Sequence, residues 1–190
     1  MSVVTEQVEL MRRLSNGNTV RAGNTVQITD ASGNPVGASA GLFVHTLTPT
    51  LDAAVNYAAG DGVGGIQTIA SAVEVAGGQL ELKSVHVRDK AGQAPALRLY
   101  FFAATPAAGT YTDNAPLVWG AGDAANQVGL VDIAAANYIT VAGVSAQTLS
   151  AIGQVHTATA TSLFVLIVAN GAYNAASTSD LIITLSWERK

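Results

Sequence analysis

The stretch QLELKSVHVRDKAGQAPALRLYFFAA, residues 79–104, decides the fold. Its first part alternates: Leu80 and Leu82 point one way, then Val85 and Val87 take the opposite parity. A period of two is the mark of a strand with one buried face. The switch near Lys83-Ser84 predicts a bulge or bend, because one extra residue flips the side-chain parity. DKAGQAP (89–95) reads as a turn. ALRLYFFAA (96–104) is the next strand, with Leu97, Leu99 and Phe101 on its core face and Arg98, Tyr100 and Phe102 on the other. Phe102 on that second face invites a second layer or a partner.

The same pattern extends in both directions. LFVHTL (42–47) is a first strand, LDAAVNYAAGDGVGG (51–65) a glycine-rich loop, and IQTIASAVEV (66–75) a further strand. After a turn-rich connection (105–117), shorter strands are predicted at 128–134, 138–142 and 145–152. SLFVLIVANG (162–171) is apolar on both faces, as a central strand of a sandwich would be. SDLIITLSW (179–187) places Leu181, Ile183, Leu185 and Trp187 inward. The Ala-rich AGDAANQ and DIAAANY leave room for a helical turn at most. Short strands separated by turns, without alternating helices, predict an all-β antiparallel sandwich of jelly-roll or related Greek-key type over residues 42–190.

Residues 1–41 differ in kind. Val4, Val8 and Met11 share one face of a short helix over 2–15, with Glu6 and Glu9 early and Arg12 and Arg13 late, as the helix dipole favours. GNTVRA (17–22) is followed at once by the near-repeat GNTVQI (23–28), then by turn formers. This region has too few large apolar residues for a core of its own. It reads as an extended N-terminal arm, either loose in solution or laid across a neighbour.

The totals narrow the function. The chain has 190 residues, 49 % of them hydrophobic but only 12 % charged, about half the usual share. A neutral surface, or one covered by partners, follows. The net charge of −4 comes with no basic cluster, which argues against a nucleic-acid partner. The absence of cysteine removes disulfides, thiolate catalysis and Cys-ligated metal. The N-terminal segment has no signal-peptide pattern, and the seven-residue apolar run 163–169 is far short of a membrane span. Synthesis in the cytoplasm and no membrane partner are expected.

The search for chemistry returns little. His45, His86 and His156 have no metal-ligand spacing and read as strand-face histidines. Asp52, Asp61, Asp113 and Asp123 lie in loops, the last three beside Gly or Asn, and read as turn aspartates, because the spaced acidic loop of a calcium site is missing. GDGVGG (60–65) lacks the lysine of a phosphate loop, and no nucleophile elbow is present. No Glu lies between Glu81 and Glu188, so carboxylate pairs are scarce. Tyr57, Tyr111, Trp119, Tyr138 and Tyr173 fall in or near loops. There they would either pin loops to a sandwich or form a sugar-stacking platform. The expectation is a protein that is not an enzyme and uses no cofactor or metal.

Four segments in order carry a resemblance: VNYAAGDGVGG, VHVRDKAGQAPALRLYFF, ATPAAGTYTDNAPL and YNAASTSDLIITL. Across roughly residues 52–186 the chain resembles a family of virion structural proteins encoded beside the capsid genes of tailed bacteriophages. The resemblance implies a capsid decoration, or cement, protein on the exterior of the head. Such a protein would be a homotrimer that clamps neighbouring subunits of the major capsid protein. Val20, Val26 and Ile28 of the arm, with the outward faces near Phe102 and Ile182, are the expected contact residues. Two other structural readings stand beside it: a receptor- or carbohydrate-binding module of a phage tail, which the sandwich and the loop aromatics permit, and a tail or connector protein, which would form hexameric rings.

Overall fold

The computed structural model describes residues 19–21, 27–29, 41–53 and 55–190, and the chain forms two compact units, Met1–Ala40 and Gly41–Lys190. In the first unit, β1 (Thr19–Arg21) pairs antiparallel with β2 (Gln27–Thr29), with Val20 opposite Ile28. The near-repeat thus supplies the two arms of a hairpin. Val26 and the helix expected over 2–15 lie outside the described residues.

The second unit is built from β3 (Leu42–Leu47), β4 (Asn56–Tyr57), β5 (Gly62–Ile69), β6 (Gln79–Asp89), β7 (Leu97–Phe102), β8 (Gln127–Ile133), β9 (Ile139–Val141), β10 (Val144–Thr157), β11 (Leu163–Ala169), β12 (Tyr173–Asn174) and β13 (Leu181–Arg189). A single helical turn, α1 (Ala121–Ala124), precedes β8, and a short 3-10 turn spans Ala135–Asn137. One sheet has the order β3-β13-β6-β10-β9, the other β5-β11-β7-β8, and β4 pairs with β12. The antiparallel pairings are nested: β7 with β8, β6 with β10, β5 with β11, β3 with β13. The chain is a long hairpin rolled so that successive pairs fall in alternate sheets, which is the jelly roll.

The parity switch in β6 is a bulge. Ser186 of β13 faces Ser84 but Trp187 faces Leu82, so Lys83 has no opposite number. On the other side β10 bulges over 151–153, with Ala151 and Gly153 at φ 56° and 70°. With that residue set aside, Leu80, Leu82, Val85 and Val87 all face the core and are fully buried. So are Leu97, Leu99 and Phe101 of β7, and Leu181, Ile183, Leu185 and Trp187 of β13. At about 2 kcal/mol per buried side chain, the four from β13 alone contribute roughly 8 kcal/mol before chain entropy is counted. β11 lies between β5 and β7 and is buried on both faces apart from half-exposed Phe164, as its unbroken apolar run predicts.

Two strand boundaries differ from expectation. β5 runs Gly62–Ile69 rather than 66–75. Gly64 and Gly65 adopt φ of 72° and 66° inside it, and Gly64 passes so close to Pro49 that a Cβ there would lie 2.2 Å from the Pro49 Cβ. Glycine was required for close approach, and its turn-like composition masked a strand. β10 is one strand of 14 residues, where the sequence pattern supports only 145–152. The bulge interrupts its alternation.

The loops divide between two ends. At one end Leu51 N–H donates to Thr178 O, Lys90 N–H to Asp180 O and Asn170 N–H to Ala96 O. These bonds weave together the connections before β5, after β6 and after β11. At the other end Val73 N–H donates to Thr161 O, Gly77 N–H to Ala158 O and Thr159 N–H to Ala103 O.

A candidate interaction surface

The two outer sheet faces have opposite fates. The connection 103–126 folds back over the outer face of the four-stranded sheet, bridging Thr110 to Val118 and Asp61 to Pro116. Under it Phe102, Tyr111, Leu166 and Val168 form a second apolar cluster, flanked by Ile66, Tyr100, Leu117, Trp119 and Phe164. Trp119 packs edge-on to Tyr100 at 4.9 Å and against Phe102 at 5.5 Å between ring centroids. Phe102 is fully buried. The second layer that its position called for is furnished by this chain itself, so Phe102 is withdrawn from the partner-binding residues.

The outer face of the five-stranded sheet carries no such cover among the described residues. Rows of paired residues cross it from β9 to β3. Val141, Val144 and Ala146 begin the face, followed by Thr148, His86 and Thr184, and by Ser150, Ser84 and Ser186. Thr46, Val44 and Leu42 close it on β3. His86 shares a 2.8 Å hydrogen bond with Thr148, and Thr46 lies 3.4 Å from Thr184. The middle is therefore a hydroxyl-lined plane. Its two rims are apolar and open: Leu42 and Val44 are 74 % and 63 % exposed, Ile139 and Val141 73 % and 68 %. Ile182 lies on this face, half-buried and opposite Arg88.

Four charged groups at one end of this surface cancel one another, while Arg88, between Ala146 and Ile182, adds an exposed cation. Lys83 bridges Glu81 and Glu188 at 2.7 and 2.6 Å, and Lys190 bridges the same two carboxylates. Hydrogen bonds from the two ammonium groups hold both carboxyls below their ordinary range and raise both lysines. The apolar rims can bury against another protein at little desolvation cost, whereas the charged groups need hydrated or paired positions.

The acidic loop residues are committed to the backbone. Asp89 is fully buried and accepts from the N–H groups of Ala91, Gln93 and Ala94 and from the Tyr173 hydroxyl. Asp123 accepts from Ala107 and Ala108 N–H and from the Tyr111 hydroxyl at 2.6 Å, and these bonds hold its carboxyl below the usual range. Asp113 accepts from Tyr57 and from Gly64 N–H, and Asp61 from Ala58 N–H. Asp52 instead uses its own N–H, which donates to the Tyr57 hydroxyl.

The loop aromatics are equally engaged. Tyr57 and Tyr173 stack at 5.8 Å across the β4–β12 pair, and both are buried, as is Tyr111. Burial pushes the hydroxyls of Tyr57, Tyr111, Tyr138 and Tyr173 up. These rings pin loops and offer no shared platform for a sugar. His45 is half-buried on β3, His86 faces outward and His156 lies in the core. Among the described residues no three His, Asp or Glu side chains gather as a metal site.

Of the expected contact residues, Val20 and Ile28 face each other in the β1–β2 register and Ile182 lies on the bare sheet face. Sequence reasoning missed Leu42, Val44, Ile139 and Val141. The signal was available as alternate apolar residues, but which parity faces out depends on the pairing partners.

No protein-family model matches the chain, and no curated protein matches it. Solved structures similar to it include tomato aspermy virus, at 8 % identity over 97 % of this chain and 93 % of that one, with a TM-score of 0.36. The VP2 subviral particle of infectious bursal disease virus matches at 16 % identity over 90 % of this chain and 37 % of that one, TM-score 0.30. Desmodium yellow mottle tymovirus matches at 13 % over 82 % and 90 %, TM-score 0.26. Scores this low carry no argument about function; the nested strand pairing alone establishes the jelly roll.

Proposed function

We propose that this chain is a structural protein of a virion, and that it decorates the outside of a tailed-phage head. The observation that carries the proposal is the asymmetry of the sandwich. One outer face is sealed by the chain's own loop, while the other, among the described residues, is left without cover and rimmed by exposed apolar side chains. A long, exposed, apolar strand edge is a liability unless a partner covers it. The jelly roll is a common vehicle for shell proteins, and the loop aspartates hold turns rather than reactive groups. The sequence resemblance supplies the setting.

In this reading three copies pack about an axis using the face that bears Ile182. The hairpin carrying Val20 and Ile28, together with Val26, adds to the edge of a major capsid subunit. Many identical contacts then give avidity that single contacts lack. Such a protein lies on the capsid exterior and acts as a clamp rather than a catalyst. The test uses purified heads of the parent phage. The full chain should sediment as a trimer and bind the heads. A chain lacking residues 1–41 should fold yet fail to bind. Binding by the truncated chain, or a hexameric mass, refutes the arrangement.

A further inference from the structure

His156 is the one histidine in the core, fully buried on β10 just beyond its bulge. Its ring lies 4.9 Å from Phe101 of β7 and 5.3 Å from Trp187 of β13, measured between centroids. On a third side it presses on the backbone of β8: a Cβ at Gly129 would lie 2.1 Å from Cε1. Its register partner on β6 is Leu80. Among the described residues neither ring nitrogen has a hydrogen-bond partner, and neither does the buried Nε1 of Trp187. The nearby amide of Gln154 is committed elsewhere: it donates to Leu130 O at 2.7 Å and accepts from Leu130 N–H, closing the open edge of β8.

We infer that His156 is an acid-sensitive latch of the sandwich: protonation of its ring forces apart the seam between β10 and β8. A second proton would put a charge among Phe101, Trp187, Gly129, Leu80 and an occupied Gln154, none of which can neutralise it. Relief requires the ring to reach water, and on the β8 side the ring meets a residue without a side chain, Gly129, beside the Gln154 amide that bonds Leu130. Burial, with no charged group contributing, pushes the imidazole down from 6.5 to about 4. Between these values the unfolded chain binds the proton and the folded chain does not. The stability is therefore full above 6.5 and is lost as pH falls toward 4. The inference does not depend on the virion reading.

The test is equilibrium unfolding of the full chain and of His156→Leu at several pH values. The ratio of their unfolding constants should rise on the order of 100-fold from pH 7 to pH 4. Carboxylate protonation is common to both proteins and cancels. A ratio that stays constant overturns the inference. If His156→Leu does not fold, NMR of the unaltered chain decides. The folded ring should stay neutral until about pH 4 while the protection of the Leu130 amide and its neighbours, taken against the intrinsic exchange rate at each pH, falls below pH 6. A ring that titrates near 6.5, or protection that holds constant, also overturns it.

Discussion

Replacing Asp89 by Asn changes one atom of a fully buried side chain and should unravel one end of the sandwich. Oδ1 accepts from Ala91 N–H at 3.0 Å and from the Tyr173 hydroxyl at 3.3 Å; Oδ2 accepts from Gln93 and Ala94 N–H at 2.6 and 3.1 Å. An asparagine has only one acceptor oxygen. Whichever way its amide turns, an NH2 group meets two donors. Two charge-assisted bonds are lost at about 1.5–3 kcal/mol each, so a cost of roughly 4 kcal/mol is expected. For a unit of about 150 residues that lowers Tm by roughly 8–16 °C. Asp132→Asn is the matched control. It removes the same charge from an exposed pair with Arg98, and should cost less than about 1 kcal/mol. Denaturant unfolding of both variants beside the parent measures the difference. If Asp89→Asn tracks the control, the carboxylate is not the turn's anchor. If it is stable but fails to bind heads, the aspartate is functional instead.

Gly129→Ala drives a methyl into the His156 ring, which Phe101 and Trp187 hold from both sides, and should cost about 1–3 kcal/mol in denaturant unfolding. Combining it with His156→Ala should leave less than the summed loss; strict additivity would mean the clash is absorbed elsewhere. Trp119→Ala removes the ring that Tyr100, Phe102 and Tyr111 grip. Limited proteolysis should then cut within 103–126 while the sandwich stays folded; unchanged resistance would mean the loop is held without it.

Much of the fold was legible because strand sequence has a short memory. Leu97, Leu99 and Phe101, or Leu181 to Trp187, declare a buried face within one strand. The bulge at Lys83 announced itself the same way, through a change of parity that two partner strands then accommodated. Asp61 was legible for a similar reason, since the Ala58 amide it accepts is three residues away, whereas Asp113 and Asp123 hold amides 49 and 15–16 residues off that only the fold brings near. The candidate surface was less so. Leu42 and Ile139 look no different in sequence from the apolar residues that became core.

The sequence by itself determined that this protein is a stack of short antiparallel strands, low in charge, with several of its aspartates in loops. These follow from side-chain period and backbone preference, which act over a few residues. Only the tertiary structure decided that β3 returns to β13 and β5 to β11, pairs more than 90 residues apart. It alone covered Phe102, left the other face without cover among the described residues, and walled in His156. Those outcomes depend on which surfaces meet once the chain has rolled up, and no local pattern encodes the identity of a distant neighbour.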